Sequence, residues 1–395
     1  MLFIKGGLIY LDGKWEKDLA IAVDEGKILD IVPGDAGFEG QVLDAEGKYI
    51  SPGFIDIHIH GCAGHDTMEG TVDSLEKMAA FVASHGTTSF LPTTVTAPFD
   101  SIQKSVEAVC EGMKKELGGA QILGAHLEGP WISTKAKGAH VEEYIKDPDV
   151  EAFRQWPEDL KSAVRLVTMA PELPGAKECI KFLTDRGIVV SIGHTTADYR
   201  RCMESFDWGI RHVTHFYNAM APFKHREPAL VGAALDDERV TIELIADLIH
   251  VHPAALRLAI KLKGAHRVAL ITDSMEASGL KDGVYSLGAY KVWVKNGEAR
   301  LESGTLAGST LTQDRALRNI CSSGISLEDG IRMLTETPAR VIRMEDQKGR
   351  IKKGLDADLV IMDGDLEVVM TFVKGRKVYS RDENASGMIS RTGDS

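Results

Sequence analysis

Eight short apolar runs recur between residues 54 and 275, and most of the pieces between them have helical spacing. The runs are FIDIHIHG, TTSFLPTT, QILGAHLEG, RLVTMAPE, IVVSIGHT, HVTHFYN, TIELIADLIH and RVALITDSM. Intervening pieces such as 71–86, 100–119 and 174–187 end in glycine, as helices often do. Such alternation favours an α/β fold, a closed (β/α)8 TIM-type barrel, over an open doubly wound sheet. No glycine-rich phosphate loop follows the first strand, which argues against a nucleotide-binding sheet.

Both ends of the chain read as strands and turns without helical stretches, in residues 2–34 and 354–380. Because each end can supply strands that cover the other's bare edges, we expect residues 1–52 and 350–395 to form one small β-sandwich domain. Residues 53–349 would then form the barrel. A block of alternating residues with an Asn-Gly pair at 296 and 297 predicts a β-insertion near 277–305. The polar tail 383–395 is predicted to be frayed.

Composition narrows the classes of partner and compartment. The formal net charge of −12 argues against nucleic acid or an anionic membrane surface as a partner. No run approaches the ~18 apolar residues that a membrane span needs, and the first residues lack the pattern of a signal peptide. The five cysteines are odd in number, scattered and never in CxxC spacing, which indicates reduced thiols and a cytoplasmic location.

Residues of the types that bind metals fall at the ends of five predicted strands. They are His58 and His60 at the first strand, Glu128 at the third, His194 at the fifth, His215 at the sixth and Asp273 at the eighth. Positions i and i+2 of a strand share a face, and the carboxyl ends of barrel strands meet at one mouth. Imidazoles and carboxylates are ligands that suit zinc or ferrous iron.

Each of these residues also has an ordinary structural interpretation. A lone strand histidine is more often a hydrogen-bonded core residue, Glu128 could pair with a cation, and Asp273 could cap a turn. The coincidence of six such residues at equivalent strand ends favours a metal site over six separate structural roles. We expect the histidines without that support to be surface or structural residues; they are His65, His85, His212, His225, His252 and His266.

The chain resembles a known enzyme family. The runs PGFIDIHIHG and GRIKKGLDADLVIMD resemble the opening and closing signatures of the amidohydrolase superfamily. Six further runs, HLEGPWIS, GHTTAD, HFYNAM, REP, TDSM and LAGS, are similar to those of N-acetylglucosamine-6-phosphate deacetylases. The resemblance covers nearly the whole chain. It implies a metal-dependent barrel that hydrolyses the acetamide of an amino-sugar phosphate and releases acetate.

The resemblance also implies roles for individual residues. Glu128, His194 and His215 match the core metal ligands, and Asp273 matches the acid/base. Some members lack the pair equivalent to His58 and His60 and use one ion, whereas others keep it and can hold two, with the carboxylate bridging them. The residues implied to contact the substrate are His140 at a sugar hydroxyl and Asn218, Ala219, Arg226 and His250 at the phosphate. Arg226 would reach a neighbouring active site, which implies a homodimer.

Two other functions stay open at this point. A hydrolase of cyclic amides, a deaminase or an enzyme of another N-acyl sugar could use the same scaffold, but the first two often need a carboxylated lysine on strand four, and RLVTMAPE contains no lysine. A non-catalytic scaffold is the second alternative. Such proteins usually lose ligands or the acid/base, and this sequence keeps all of them. The preference for glucosamine over galactosamine depends on the motifs alone.

Overall fold

The computed structural model describes residues 1–382, so the tail 383–395 and its predicted fraying lie outside the described residues. The first part of the chain is a series of short strands. They are β1 (Leu2–Lys5), β2 (Leu8–Leu11), β3 (Lys14–Glu16), β4 (Leu19–Asp24), β5 (Lys27–Pro33), β6 (Gln41–Asp44) and β7 (Tyr49–Pro52). Strands β5, β4, β1 and β6 form one sheet in that order, while β7, β2 and β3 join a second sheet.

The next strands form the barrel, together with a two-stranded hairpin at its mouth. The barrel strands are β8 (Phe54–Ile59), β11 (Thr87–Thr94), β12 (Gln121–Ile122), β13 (Ala125–Glu128), β14 (Val164–Met169), β15 (Val189–Ile192), β16 (His212–Val213), β17 (Thr241–Ile245) and β18 (Val268–Ile271), and the hairpin is β9 (Gly61–Cys62) with β10 (His65–Asp66). All pairings within the barrel are parallel. Strands β12 and β13 come from one apolar run and lie along the same neighbour, β11. Counting β12 and β13 as one position, the eight runs therefore supply the eight strand positions of a nearly closed barrel, as predicted.

The seam between β18 and β8 is joined by few bonds. The Asp273 N–H donates to the carbonyl of His58 at 2.9 Å, and the His60 N–H donates to the carbonyl of Ser274 at 2.9 Å. Ile59 and Ser274 form a parallel bridge at the same place. The barrel is thus closed by backbone bonds that involve three of the predicted site residues.

Helices surround the barrel. They are α1 (Val72–Ser84), α2 (Phe99–Gly112), α3 (Val150–Arg154), α4 (Glu158–Ala163), α5 (Ala176–Thr184), α6 (Tyr199–Trp208), α7 (Ala229–Asp236), α8 (Pro253–Lys263), α9 (Gln313–Ser322), α10 (Leu327–Leu334) and α11 (Glu336–Val341), with short 3₁₀ turns at Thr67–Glu69, Thr134–Ala136, Glu142–Tyr144 and Ala265–Arg267. The Thr71 hydroxyl caps α1, which buries Leu75, Met78 and Val82. Helix α2 ends at Gly112, well before the glycine that the sequence pattern indicated. None of the helices in residues 1–382 is both long and apolar enough to cross a membrane.

A three-stranded antiparallel sheet occupies the predicted insertion. Its strands are β19 (Gly283–Leu287), β20 (Tyr290–Lys295) and β21 (Glu298–Arg300). Asn296 and Gly297 have φ angles of 53° and 80°, the left-handed conformation that a tight hairpin turn requires. The predicted Asn-Gly hairpin is therefore confirmed.

The last strands return to the sheets of the N-terminal segment. They are β22 (Leu359–Met362), β23 (Val368–Val373) and β24 (Arg376–Ser380). Together with β7, β2 and β3 they form a six-stranded sheet in the order β24, β23, β22, β7, β2, β3. Apolar side chains from both ends of the chain share one core, including Ile21, Ile50, Leu359 and Phe372. Both termini thus build the two additional sheets, while the domain boundaries at 52/53 and 349/350 stay a prediction. All five cysteines are free.

Candidate metal centre and its pocket

Five barrel strands bring the six ligand-type residues, five predicted metal ligands and the predicted acid/base Asp273, to one mouth. His58 lies in β8 and His60 directly after it, Glu128 ends β13, and the other three lie two positions beyond β15, β16 and β18. These three, His194, His215 and Asp273, have φ angles of 47°, 27° and 47°. Non-glycine residues rarely adopt this conformation, and where they do it often marks a functional site. At each of these strand ends the backbone leaves the extended conformation, and the side chain reaches the shared cluster.

Glu128 lies at the centre of the cluster, and its two oxygens face different histidines. Oε1 lies 3.1 Å from His194 Nε2 and 2.9 Å from His215 Nε2. Oε2 lies 3.1 Å from His60 Nε2 and 3.6 Å from His58 Nε2. All five side chains are buried. The carboxylate therefore stands between two histidine pairs.

Asp273 completes one of two groups that could hold a metal ion. Its Oδ1 lies 3.3 Å from His60 Nε2 and 3.5 Å from His58 Nε2, and those two nitrogens are 3.3 Å apart. The ligand atoms of each group lie within 4.8 Å of one another, and the groups are His58, His60 and Asp273, and Glu128, His194 and His215.

Neighbouring acceptors fix how the histidine rings present their nitrogens. The carbonyl of Thr93 lies 3.2 Å from His60 Nδ1, and the carbonyl of Ala136 lies 2.8 Å from His194 Nδ1. A carbonyl only accepts, so each Nδ1 carries a hydrogen, and in the neutral ring Nε2 presents a lone pair to the cluster. In neutral rings these lone pairs would face carboxylate oxygens, an arrangement that a cation between them would stabilise. The donor set therefore fits a metal ion.

The electrostatics of the cluster point the same way. Burial raises the pKa of Asp273, but the charge of His58 and the hydrogen bond from His60 outweigh it and hold the pKa at about 2. Burial lowers the pKa of the His60 imidazole, but its hydrogen bonds with Asp273 and Glu128 raise it to about 9. Burial and the charge of His140 lower the pKa of His194 to about 4. The buried carboxylates of Glu128 and Asp273 therefore stabilise positive charge in the cluster, and the lowered pKa keeps His194 neutral, as a metal ligand must be.

Glu243 in β17 is a buried carboxylate of the centre to which the sequence analysis gave no role. It accepts from His58 Nδ1 at 3.1 Å, from His212 Nε2 at 3.1 Å and from the His215 N–H at 2.9 Å. His212, predicted to be a surface or structural residue, is fully buried and contacts Glu243. A carboxylate in the middle of the short strand TIELI, where its neighbours are apolar, is the signal that could have identified Glu243.

A pocket of about 370 Å³ opens over the cluster. Its lining includes the predicted substrate residues His140, Asn218, Ala219 and His250. The stretch that contains β19 to β21 adds further lining residues, to which the sequence assigned no role in substrate binding; they are Leu287, Arg300, Thr305 and Leu306. A concave site of this size, with polar groups converging at its base, suits a small molecule.

Hydrogen bonds orient two of the pocket histidines. His140 Nδ1 accepts from the Thr96 N–H at 3.1 Å, so in the neutral ring the hydrogen lies on Nε2, which is 3.4 Å from Glu128 Oε2. His250 Nδ1 lies 2.6 Å from Asp247 Oδ2, which leaves Nε2 available to the pocket. His140 therefore offers a donor beside the metal ligands.

Arg226 is the one predicted substrate-binding residue that does not line this pocket. It lies in the exposed segment 222–227 and does not line the pocket of its own chain. Within residues 1–382 its side chain has no hydrogen-bond or ion-pair partner. The exposed Phe223 lies in the same segment.

Comparisons with known proteins agree with this geometry. A model of the amidohydrolase family matches residues 49–378. N-acetylglucosamine-6-phosphate deacetylase from Bacillus subtilis (strain 168) is 39% identical over 97% of this chain and 98% of its own. N-acetylgalactosamine-6-phosphate deacetylase from Escherichia coli O157:H7 is 36% identical over 92% and 95%.

The solved structures of similar proteins include a variant of N-acetyl-D-glucosamine-6-phosphate deacetylase from Mycobacterium smegmatis, in complex with N-acetyl-D-glucosamine-6-phosphate. It superposes with a TM-score of 0.90 and 31% identity, and the match covers 96% of this chain and 99% of that one. The chain thus belongs to the amidohydrolase family, where its relatives include deacetylases of N-acetyl amino-sugar 6-phosphates.

Proposed function

We propose that this chain hydrolyses the acetamide of N-acetylglucosamine 6-phosphate to glucosamine 6-phosphate and acetate, in amino-sugar catabolism. The observation that carries the proposal is the convergence of Glu128, Asp273 and four histidines at the base of a pocket of small-molecule size. The named relatives support the substrate. Free cysteines without CxxC spacing support a cytoplasmic location.

The two ligand groups would hold one or two divalent ions, and zinc or iron suits their nitrogen and oxygen donors. When bound, such an ion supplies an acidic water near neutral pH and polarises the amide carbonyl. The opposed oxygens of Glu128, each facing a different histidine pair, support a bridging role for this carboxylate.

The remaining chemistry falls to two side chains of the pocket. Asp273 would accept the proton of the attacking water and return it to the sugar nitrogen as the amide bond breaks. His140 would donate from Nε2 to the acetamide oxygen, where negative charge develops. The Thr96 N–H bond to His140 Nδ1 supports this donor role, which differs from the sugar-hydroxyl contact that the family resemblance implies.

For the sugar phosphate, we assign Asn218, Ala219 and His250 to phosphate binding from within the pocket, and Arg226 from a second copy of the chain. Arginine binds phosphate through two parallel charge-assisted hydrogen bonds. The exposure of Arg226, without a partner in residues 1–382, supports a role outside its own pocket. The protein would then be a homodimer.

The test of the function is acetate release from three sugars: N-acetylglucosamine 6-phosphate, its galactosamine epimer and unphosphorylated N-acetylglucosamine. We expect a strong preference for the phosphorylated sugars, with glucosamine ahead. Faster turnover of the epimer would favour the galactosamine alternative, which the Escherichia coli relative supports. Equal rates with and without phosphate would contradict the phosphate assignment and reopen the cyclic-amide alternative.

Mixing two inactive variants tests the shared site. In a dimer of one Arg226→Ala subunit and one Asp273→Asn subunit, one active site would combine an intact Asp273 with an intact Arg226 from the partner subunit. We expect activity to reappear when the two variants are unfolded together and refolded. No recovery, with dimers present by size-exclusion chromatography, would show that Arg226 acts within its own chain or not at all.

A further inference from the structure

Glu243 is attached to both ligand groups from beneath. Its side chain is fully buried in β17 and accepts from the His58 ring of one group and from the backbone N–H of His215 in the other. His212 supplies a third hydrogen bond, from Nε2 to Oε1. No lysine or arginine of residues 1–382 forms an ion pair with it. Because its hydrogen-bond partners are His58, His212 and the His215 backbone, the position of Glu243 is closely tied to the metal centre.

His58 differs from the other ligand histidines in the group that orients its ring. The Nδ1 atoms of His60 and His194 donate to neutral backbone carbonyls, whereas His58 Nδ1 faces a carboxylate oxygen at 3.1 Å. A carboxylate behind an imidazole fixes the ring orientation and makes the opposite nitrogen a stronger donor to metals. That nitrogen, His58 Nε2, lies 3.5 Å from Asp273 Oδ1 in the group with His60.

We propose that Glu243 is a positioning residue that enables the chain to bind a second metal ion. It would hold His58 Nε2 toward His60 and Asp273. Through its bond to the His215 backbone it would also fix the position of the His58 group relative to the group of Glu128 and His194. Glu243 itself does not face the ligand atoms, since its oxygens are occupied by His58 Nδ1, His212 and the His215 N–H. The inference rests on the metal centre of the proposed function and adds to it a determinant of ion number.

Zinc titration of the chelator-stripped protein, followed by calorimetry, tests the inference without substrate. We expect the wild type to bind two ions. In Glu243→Gln the amide loses the charge and turns an NH2 group toward one of the donors, so binding at the His58 group should weaken about 10- to 100-fold while the other event changes little. His60→Asn identifies the affected event, because it removes a ligand of the same group.

Asp314→Asn is the matched control. Asp314 is also a buried carboxylate that holds a histidine Nδ1, that of His85 at 3.1 Å, but it lies in α9 away from the centre. We expect its zinc binding to equal that of the wild type. If Glu243→Gln does not fold, as judged by circular dichroism, Glu243→Asp keeps the charge one methylene farther from His58 and should weaken the same event.

The possible results separate this inference from the proposed function. Two events of unchanged affinity in the folded Glu243 variant, or equal weakening of both events, would overturn the inference and leave a metal hydrolase intact. A single event in the wild type would also overturn it, while a one-ion deacetylase would still stand. A wild type that binds no zinc, iron or other divalent ion would overturn both.

Discussion

Asp273 connects the backbone of the barrel to the candidate metal centre. Its N–H donates to the carbonyl of His58, and its carboxylate lies near the Nε2 atoms of His58 and His60. The same oxygen, Oδ1, is the one closest to both rings, so Oδ2 would serve the proposed proton transfer. We therefore expect a change at this position to affect the proposed proton transfer and one ligand group, and to leave the other group intact.

Asp273→Asn tests this division of roles. The amide keeps the shape of the carboxylate but accepts no proton, so turnover should fall about a hundredfold to ten-thousandfold. Acetate release gives the rate, and elemental analysis of the dialysed protein gives the metal content. We expect at least one bound ion, because Glu128, His194 and His215 are unchanged. Near-normal turnover would show that another residue is the base. If the variant contained no metal, the loss of metal would itself explain the lost turnover.

The six ligand-type residues could be predicted from the sequence, because each lies at or near the end of an apolar run and the ends of barrel strands meet at one mouth. The pocket residues His140, Asn218 and His250 required the family resemblance, since no local pattern distinguishes them. Glu243 escaped notice because its partner His58 is far away along the chain, and strand periodicity does not reveal which side chains pair across the barrel interior.

Strand β15 ends against a tightly packed polar layer. A Cβ atom on Gly193, the residue before His194, would lie 2.8 Å from Thr214 Cβ and 2.9 Å from Thr168 Cγ2. The two threonines are hydrogen bonded to each other at 2.7 Å. The end of this strand therefore has no room for a side chain.

Gly193→Ala should therefore destabilise the protein by about 1–3 kcal/mol, the usual range for overpacking a core. Urea unfolding measures the change in free energy. Because His194 follows directly, we also expect weaker metal binding. Gly118→Ala is the control, since Gly118 is exposed and a methyl group there would have no atom within 4 Å. Equal stability of the two variants would contradict the packing argument.

At the scale of elements, sequence periodicity predicted the barrel strands better than the helix ends. The eight strands were evident because buried parallel strands form nearly continuous apolar runs. Helix α2 stops early, and the chain then passes so close to α1 that a Cβ on Gly119 would lie 2.2 Å from the Ala79 carbonyl oxygen. Such close approach is a tertiary constraint that local helical spacing does not report.

A buried ion cluster lies where the chain leaves the barrel for the terminal sheets. Lys348 Nζ lies 2.8 Å from Asp356 and 2.6 Å from Asp358, and all three side chains are at most 5% exposed. Lys27 from the N-terminal segment also binds Asp356, at 2.6 Å. Residues from both ends of the chain therefore meet in this cluster.

Lys348→Met should destabilise the protein by about 3–5 kcal/mol, because it leaves two buried carboxylates without their main partner. Denaturant unfolding at neutral pH measures the loss. Lys353→Met is the control, since Lys353 and Asp30 form an exposed pair at 3.5 Å, and such pairs contribute about 0–1 kcal/mol. Similar losses in the two variants would contradict the role of burial.

The pH dependence of that loss has a defined sign. Burial raises the pKa of Asp356, but the charge of Lys348 outweighs it and lowers the pKa from 3.8, so its contribution is present above pH 3.8 and is lost as the pH falls through the folded value. Burial lowers the pKa of Lys348, but Asp358 and Asp356 raise it above 10.5, so its contribution is lost only as the pH rises beyond that. The difference between wild type and Lys348→Met should therefore shrink as the pH falls toward and below 3.8, where the carboxylates take up protons. A constant difference down to acid pH would contradict the ion cluster.

The seam of the barrel also has a mechanical consequence. The bonds between β8 and the residues after β18 run through His58, His60 and Asp273, whose side chains form one ligand group. An ion held there would connect the first barrel strand, β8, to the residues that follow the last barrel strand, β18. Removing the ion with a chelator should speed deuterium uptake by the amides of residues 58–61 and 272–275 but not by those of β14. Equal protection of these amides with and without metal would contradict a stabilising role of the ion. An ion at this site would then stabilise the closed barrel as well as serve the reaction, and loss of the ion would loosen the barrel beside the active site.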